Sequence, residues 1–311
     1  MKKKKRSQQP KLPQFIISLG RIIEFFSYTL AARYAGRLFT TPFRHKMPNR
    51  EWHMDRQSAQ SELWVEAIRK KIIVYEVGNS QRKILLVHGW SGRGTQLVKI
   101  ADALLAAGYS VVSFDAPAHG KSPGSRSIMP EFIASILAVQ DQFGPFMAAI
   151  GHSLGGMSIL NASVRGLQVN SIVTIGSGDV IQDIIDEFTD NMQLSRKTGT
   201  IMRNLFESTH GSMDEYSAYR AAAKLNIPVL VIHDENDAEV LVDRGIHIHR
   251  HLKYGELMLT QHLGHRKILG SNEVISRILT FLSNNENHSV SIDSCNNKLQ
   301  RSDGHIEKSS V

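Results

Sequence analysis

Short apolar runs alternate with longer amphipathic stretches through the middle of this chain of 311 residues. Apolar residues at helical spacing predict helices between most of the runs, and the last such stretch extends from Ile268 to Leu282. The runs are rich in β-branched residues and predict strands at residues 72–77, 83–88, 109–115, 146–150, 171–175, 229–233 and 256–260. This alternation indicates an α/β fold, with a mostly parallel sheet and helices on both faces.

Two regions depart from a simple alternation. A turn signal at Gly78-Asn79-Ser80 separates the first two predicted strands, which we therefore interpret as a hairpin. Residues 177–227 contain three helical patterns and no convincing strand, so we expect a small helical cap over the sheet edge. The α/β domain is predicted to span residues 70–284. The polar tail at 285–311 has few apolar side chains and is expected to be disordered.

Residues 1–69 are predicted to comprise a basic tail, an amphipathic helix and an entry segment. The stretch from Gln14 to Phe39 is mostly apolar, and its polar residues recur at helical spacing on one side. Arg21 and Glu24 argue against a membrane span, since each would cost about 2.5–3.5 kcal/mol at the centre of a bilayer. Residues 40–70 have a polar, helix-like pattern and carry no recognisable chemistry.

Positive charge is concentrated at the N-terminal end. Residues 1–50 hold twelve Lys and Arg and a single acid, Glu24, so they sum to +11. The whole chain carries +8, which leaves −3 for the remaining residues. The basic run from Lys2 to Arg6 has no interleaved aromatic residues, and we expect no nucleic-acid binding. Two interpretations of the amphipathic helix stay open: it packs on the body or a second subunit, or it lies on an anionic inner membrane leaflet.

The number and spacing of the cysteine and histidine residues limit which disulfide and metal sites the chain can form. The single cysteine, Cys295, excludes an internal disulfide framework and cysteine-based metal sites, and it fits a reducing compartment. No cleavage site of a secretory signal is present, so we expect a cytoplasmic protein, with a peripheral position on the inner membrane face as the alternative. His247, His249 and His251 would converge on a metal only along a strand, and their segment looks helical. We expect neither a metal nor a cofactor.

A candidate nucleophile lies between a predicted strand and a predicted helix. Gly151-His152-Ser153-Leu154-Gly155 has the G-x-S-x-G pattern, which at a tight strand-to-helix turn holds the serine in a strained backbone and exposes its hydroxyl. The flanking glycines are expected because a Cβ there would collide with neighbouring backbone. Ser153 is therefore predicted to be a nucleophile.

The serine requires a base and an acid, which should follow it in the chain. The loop after the strand at 229–233 offers Asp237 as the better placed acid and Asp234 as the alternative. The loop after the last strand offers His265, with His262 as its competitor. Leu154 N–H at the start of a helix, and Trp90 N–H in the loop after the second strand, are predicted to bind the oxyanion.

These motifs resemble the α/β-hydrolase family in order and approximate spacing over residues 70–284. The matching segments are His88-Gly89-Trp90, Asp115 with His119-Gly120-Lys121-Ser122, Gly151 to Gly156, His233 to Asp237, and Gly264-His265. The resemblance implies a catalytic triad of Ser153, Asp237 and His265. The sequence departs from the family pattern at Asp234, where glycine is common, and at Ala118, where glycine is expected.

The functional prediction is a serine hydrolase that cleaves an ester, a thioester or a related small-molecule acyl substrate through an acyl-enzyme. Acyl transfer on the same residues is an alternative, because only the acceptor differs. A dehalogenase is disfavoured, since that chemistry needs a carboxylate at the elbow. A third alternative is a catalytically silent protein that binds a membrane surface or a partner through its N-terminal helix. Substrate identity and oligomeric state stay open.

Overall fold

The computed structural model describes residues 12–286, and an eight-stranded sheet lies at its centre. The strands are β1 (Ala59–Val65), β2 (Lys70–Val77), β3 (Lys83–Val87), β4 (Ser110–Asp115), β5 (Ala148–His152), β6 (Ser171–Ile175), β7 (Val229–Asp234) and β8 (Gly255–Thr260). Their order across the sheet is β1-β2-β4-β3-β5-β6-β7-β8. The pairings from β4 to β8 are parallel, whereas β1 pairs with β2 and β2 with β4 antiparallel. The predicted mostly parallel sheet is confirmed.

Helices cover both faces of this sheet. They are α1 (Gln14–Phe26), α2 (Tyr28–Phe39), α3 (Trp52–Gln57), α4 (Val98–Ala106), α5 (Met129–Phe143), α6 (Leu154–Ser163), α7 (Ile181–Asn191), α8 (Arg196–His210), α9 (Ala218–Ala222), α10 (Val242–Arg250), α11 (Gly264–Lys267) and α12 (residues 272–286). Alternate residues of β3 enter two separate cores: Leu85 and Val87 pack on one face, and Ile84 and Leu86 on the other. Burial on both faces explains why the central strands are continuous apolar runs.

The predicted hairpin of the first two strands is wrong. β2 and β3 are not neighbours, because β4 lies between them and pairs with both. β3 is apolar on both faces, so it gains more from a central position between β4 and β5 than from a place beside β2. The turn signal at residues 78–80 lies in the connection from β2 to β3, and this connection passes the position of β4 in the sheet.

The segment before β2 also differs from the prediction. Residues 59–65, expected to continue a helix-like stretch, form the edge strand β1. This strand is exposed along most of its length, so its polar composition conceals the alternation that identifies a half-buried strand. The single amphipathic helix predicted from Gln14 to Phe39 is two helices, since Ser27 is extended and its Oγ accepts a hydrogen bond from Leu30 N–H.

The helices predicted between residues 177 and 227 are present as α7, α8 and α9, which we call the helical insert. Helices α1 and α2, together the N-terminal hairpin, pack on this insert. Phe39 of α2 contacts Phe188 of α7 and Phe206 of α8, with ring centroids 5.1 and 6.0 Å apart. The hairpin and the insert therefore form one continuous layer on this side of the sheet.

Several expectations concern residues beyond the described part. The basic run at 2–6 lies outside it, as does the polar tail except for residues 285 and 286, which end α12. None of the helices within residues 12–286 has the length and apolar character that crossing a bilayer requires.

Candidate active site

Ser153 occupies a strained turn between β5 and α6. Its φ of 53° and ψ of −118° lie outside the regions that non-glycine residues ordinarily adopt. A Cβ on Gly151 would lie 2.5 Å from the backbone of Gly155, and one on Gly155 would lie 2.3 Å from the carbonyl oxygen of Val87. Glycine at both positions is what lets the strand, the turn and the helix approach this closely, as the sequence predicted.

The loop after β3 passes close to Ser153. A Cβ on Gly89 would lie 3.0 Å from the Cβ of Ser153, and Gly89 N–H donates to Gln96 Oε1 at 2.9 Å. This bond holds the loop that carries Trp90 against the elbow. Leu154 is the first residue of α6, where backbone N–H groups have no partner within the helix. The two chain segments that carry the predicted oxyanion donors, Trp90 and Leu154, thus adjoin Ser153.

His265 and Asp237 form a buried hydrogen-bonded pair. His265 Nδ1 lies 2.7 Å from Asp237 Oδ2, and both side chains are almost completely buried. The N–H groups of Glu239 and Val240 donate to the other carboxylate oxygen at 2.8 and 2.9 Å. A carboxylate can only accept, so Nδ1 carries the hydrogen, and in the neutral tautomer with this hydrogen Nε2 is the acceptor. His265 lines the same cavity as Ser153.

Asp234 and His262, the alternative acid and base, occupy different positions. Asp234 accepts bonds from Thr260 Oγ1 at 2.8 Å and from Leu263 N–H at 3.0 Å. Burial raises the pKa of Asp234, but these and other hydrogen bonds outweigh it and hold that pKa below its usual range. Asp234 therefore ties the acid loop to the histidine loop, while His262 is exposed and donates its N–H to Asn236.

Gly176 at the end of β6 is a site residue that the sequence analysis missed. Its φ is +57°, and a Cβ there would lie 3.2 Å from His265 Nδ1 and 3.5 Å from Asp237 Oδ2. Glycine is thus needed both for the backbone conformation and for the space that the His–Asp pair occupies. A glycine directly after a predicted parallel strand was the available signal.

Three buried histidines near the site form hydrogen bonds with backbone groups. His152 Nε2 lies 2.9 Å from the carbonyl oxygen of His265, and His88 Nε2 accepts from Ala116 N–H at 3.0 Å. Burial holds the pKa of His88 and of His152 well below the usual histidine value, aided by the neighbouring His119 and His265 respectively. Burial also lowers the pKa of His119 to about 4. These residues are neutral structural groups at pH 7.

Asp115 organises the loop that follows β4. It accepts bonds from Tyr75 Oη at 2.8 Å and from the N–H groups of Gly94 and Lys121 at 2.6 Å each. Burial raises the pKa of this carboxyl despite those donors. Ala118, where the family pattern has glycine, adopts a φ of 65°, so the loop keeps the left-handed conformation without glycine.

A family model described as the alpha/beta hydrolase family matches residues 84–265, which include the elbow, the acid loop and His265. The chain belongs to the α/β hydrolase family. The match covers the segments on which the resemblance in sequence depended, and membership supports a hydrolase. A comparison with curated proteins found no match.

Solved structures share the fold of this α/β hydrolase. An esterase from Pyrococcus furiosus is similar with a TM-score of 0.61 and 17% identity, over 79% of this chain and 97% of its own. An esterase from Exiguobacterium antarcticum has a TM-score of 0.58 and 16% identity, over 72% and 100%. A bromoperoxidase from Bacillus anthracis has a TM-score of 0.56 and 17% identity, over 73% and 100%. These identities establish the fold, and the proteins are named for two different activities.

A cavity of about 770 Å³ opens onto Ser153 and His265 of this α/β hydrolase. This volume lies within the range of cavities that bury a drug-sized molecule. Apolar side chains from three regions form most of its wall. The N-terminal hairpin and its flanks supply Leu12, Ile16, Leu38 and Phe39, the helical insert supplies Ile181, Ile184, Phe188, Phe206, Met213 and Tyr216, and the central domain supplies Trp90, Leu154, Met157 and Leu269.

The three spaced histidines of the hydrolase lie at the end of α10, which confirms the helical prediction. His247 Nδ1 lies 2.5 Å from Asp179 Oδ2, and His251 Nδ1 lies 2.9 Å from the carbonyl oxygen of His247. Asp179 also accepts from Tyr219 N–H, so this cluster joins α10 to the helical insert. Within residues 12–286, no group of three or more His, Cys, Asp or Glu side chains is arranged to hold a metal ion.

Proposed function

We propose that this chain is a serine hydrolase that cleaves an ester or thioester of an apolar acyl group through an acyl-enzyme. The observation that carries the proposal is the buried 2.7 Å hydrogen bond between His265 and Asp237, with Ser153 at a strained elbow on the same cavity. A base whose Nδ1–H is held by a carboxylate presents its other nitrogen as a proton acceptor, which is the arrangement that activates a serine.

In the proposed acylation step, His265 Nε2 takes the Ser153 hydroxyl proton while Oγ forms a bond to the acyl carbonyl carbon. The carbonyl electron pair moves to its oxygen, which the N–H groups of Leu154 and Trp90 stabilise. The tetrahedral intermediate then collapses, and the bond to the leaving alcohol or thiol breaks. That leaving group takes the proton from His265, so the histidine is neutral again.

Deacylation repeats the sequence with water. His265 accepts a proton from water, the resulting hydroxide attacks the acyl carbon, and Ser153 Oγ leaves with the proton returned by His265. The free acid and the unmodified enzyme result. Asp237 keeps its own charge throughout and stabilises the imidazolium that forms in each half-reaction. The largely apolar cavity wall supports an apolar acyl group, with the helical insert serving as a cap over it.

Labelling with a fluorophosphonate probe tests the nucleophile. We expect the wild type and Ser127→Ala to be labelled equally and Ser153→Ala to remain unlabelled. Ser127 is the matched control, because it is a buried serine in the loop before α5 and lines the same cavity. Hydrolysis of a p-nitrophenyl ester should fall on the order of 10⁴-fold or more in Ser153→Ala alone. Absence of wild-type labelling, or equal labelling of Ser153→Ala, would contradict the proposal.

A further inference from the structure

The first helix presents an apolar stripe to solvent. Phe15, Leu19, Ile22 and Phe26 recur at intervals of four, three and four residues, so they lie along one side of α1. Their exposed fractions are 72%, 46%, 57% and 79%. Contiguous exposure of four large apolar side chains is unusual for the surface of a soluble monomer and marks an interaction site. We call these four residues the apolar stripe.

The opposite side of α1 is fixed to the body, so the stripe cannot rotate inward. Ile17 and Gly20 are buried, and a Cβ on Gly20 would lie 3.1 Å from Met192 Cε. Glu24 accepts bonds from Ser195 N–H and Oγ at 2.8 Å each, at the N-terminal end of α8. The carboxylate and Ile17 therefore face the protein, whereas the four residues of the apolar stripe face outward. The helix thus has apolar side chains on two sides, and only one of these sides is covered by the fold.

Charge on the hairpin favours an anionic partner. Arg33 and Arg37 are exposed on α2, and Lys197 lies beside the hairpin with Nζ 4.2 Å from the ring centroid of Tyr28. Glu24 is the single acid in residues 1–50, and it is used in the bonds to α8. An exposed apolar stripe on a hairpin that also carries exposed cations is typical of a segment that lies in the interface of a bilayer with anionic lipid. A second copy of this chain fits less well, since pairing two hairpins would bring like charges together.

The length of α1 also fits this orientation. Its 13 residues form about 20 Å of helix, whereas the hydrocarbon core of a bilayer is about 30 Å thick. The helix is therefore too short to cross a membrane and long enough to lie along its surface. Phe25 and Leu30, at the turn between the two helices, are also exposed and would enter the same interface.

The end of the hairpin away from this turn forms part of the active-site cavity. Leu12, Pro13 and Ile16 precede or begin α1, and Leu38 and Phe39 end α2; all five line the cavity. The stripe begins at Phe15, directly beside Ile16. A further link runs to the loop after β3, because Phe43 N–H donates to Ser91 Oγ at 2.9 Å. The outward apolar surface and the inner cavity wall are thus consecutive parts of one helix.

We propose that the N-terminal hairpin inserts the apolar stripe into a bilayer with anionic lipid, and that the substrate is a lipid-like ester that enters the cavity from that bilayer past residues 12–16. The choice of substrate rests on the proposed hydrolase function, whereas membrane binding does not. An acyl chain that leaves the bilayer here moves from lipid to an apolar wall without crossing water, which avoids the cost of hydrating it.

Vesicle flotation of the full chain tests the membrane interaction. We expect Ser153→Ala, which keeps the surface intact, to float with vesicles of phosphatidylcholine and phosphatidylglycerol and to bind pure phosphatidylcholine at least about tenfold more weakly. The double variant Ile22→Glu/Phe26→Glu should lose at least about tenfold in binding to the anionic vesicles. Equal binding to both vesicle types, or unchanged binding of the double variant, would overturn the proposal.

Two further variants separate the contributions. Tyr254→Glu/Leu259→Glu is the matched control, because it places the same charges at two exposed apolar residues at β8, and it should float like the wild type. Arg33→Glu/Arg37→Glu should lose the preference for anionic vesicles. A dimer that Ile22→Glu/Phe26→Glu dissociates, observed by sedimentation without vesicle binding, would assign the stripe to a second copy and overturn the proposal.

Activity on two esters distinguishes this inference from the proposed function. The double variant Ile22→Glu/Phe26→Glu should hydrolyse soluble p-nitrophenyl butyrate at the wild-type rate and lose about tenfold on p-nitrophenyl palmitate carried in anionic vesicles. Equal loss on both esters, or loss on neither, would overturn the route from the bilayer. Failure of the wild type on both esters would overturn the hydrolase function and with it the substrate assignment, whereas vesicle flotation would still decide the membrane interaction.

Discussion

The catalytic edge of the sheet and the N-terminal hairpin place polar and apolar groups in opposite ways. At the catalytic edge, the Asp237 carboxylate points into the protein toward His265, and strands with apolar side chains surround both residues. On the hairpin, the Glu24 carboxylate also points inward, but the four large apolar side chains of the apolar stripe point into solvent. The sheet edge buries its apolar surface within the fold, whereas the hairpin leaves the apolar stripe exposed to an external partner.

This difference shows that an inward-facing, hydrogen-bonded carboxylate can serve two purposes. Asp237 is held by backbone N–H groups and bonds His265, and in the proposed mechanism it orients that base. Glu24 accepts hydrogen bonds from the hydroxyl groups of Ser195 and Thr198 at the start of α8 and thereby fixes which side of α1 faces outward. In both cases a short hydrogen-bonded contact determines the direction in which a neighbouring group points. The following experiments test whether the two regions are as separate as their contacts suggest.

The largest effect is expected at the two aspartates of the catalytic edge. Asp237→Asn should lower kcat on a soluble ester by about 10³–10⁴-fold, because the amide no longer fixes the tautomer of His265. Asp234→Asn should lower kcat by less than about tenfold and mainly reduce stability, since Asp234 joins two loops. Steady-state kinetics and urea unfolding of both variants separate these roles. Equal losses of kcat would mean that Asp234 shares the catalytic role.

Acid should next destabilise the core around the catalytic edge. The pKa of buried His119 is lowered to about 4, so between the unfolded value of about 6.5 and that value only the unfolded chain binds the proton. The free energy of unfolding therefore falls as pH falls through this window, by roughly 2–3 kcal/mol from this residue. Urea unfolding at about pH 7 and about pH 4.5 should show a smaller pH-dependent loss for His119→Gln. An identical loss in both proteins would contradict this assignment.

Docking of the N-terminal hairpin should be weakened by acid at a lower pH than the core around His119, and by a smaller free energy. Burial raises the pKa of Glu24, but bonds from Thr198 and Ser195 outweigh it and lower that pKa below its usual value. Its stabilising effect is therefore present above the unfolded pKa and is lost as pH falls through the folded value. Glu24→Ala should weaken docking of α1 by roughly 1 kcal/mol, which corresponds to cleavage within residues 12–40 that is about fivefold faster.

Limited proteolysis followed by mass spectrometry measures this cleavage. Gln193→Ala is the control, since it removes only an exposed 3.4 Å bond to Arg21 beside the same contact and should leave the cleavage rate unchanged. Hydrolysis of a soluble ester should be unaffected in both variants. Faster cleavage in Gln193→Ala as well would show that the hairpin is held by its whole surface rather than by Glu24.

Local constraints explain which parts of the fold and site could be predicted. The strand, turn and helix around Ser153 follow from a short segment in which Gly151 and Gly155 admit no Cβ, and the structure confirms these elements. The positions of Asp237 and His265 follow from strand ends that all meet at one edge of a parallel sheet. Each of these inferences requires only a few neighbouring residues and a general rule of topology.

Features that depend on distant partners could not be predicted. The predicted pairing of β2 with β3 was wrong, because β2 pairs instead with β4, which begins more than thirty residues later in the chain. The periodicity of α1 indicated a helix with two sides, but only the contacts of Gly20 with Met192 and of Glu24 with Ser195 determine which side is buried. The cavity wall could not be predicted for the same reason, since it combines residues such as Leu38 and Phe188 from segments far apart in sequence.

The contact between Glu24 and Ser195 also has a consequence for the order of folding. These residues are separated by 171 positions, so the hairpin leaves the ribosome roughly 10–30 s before its docking surface exists, at ordinary rates of synthesis. During that interval both sides of α1 are uncovered, and the nascent chain exposes these apolar residues without a partner. A bilayer close to the site of translation would cover the outer side of α1 first. The inner side of α1 would remain uncovered until α8 is synthesised.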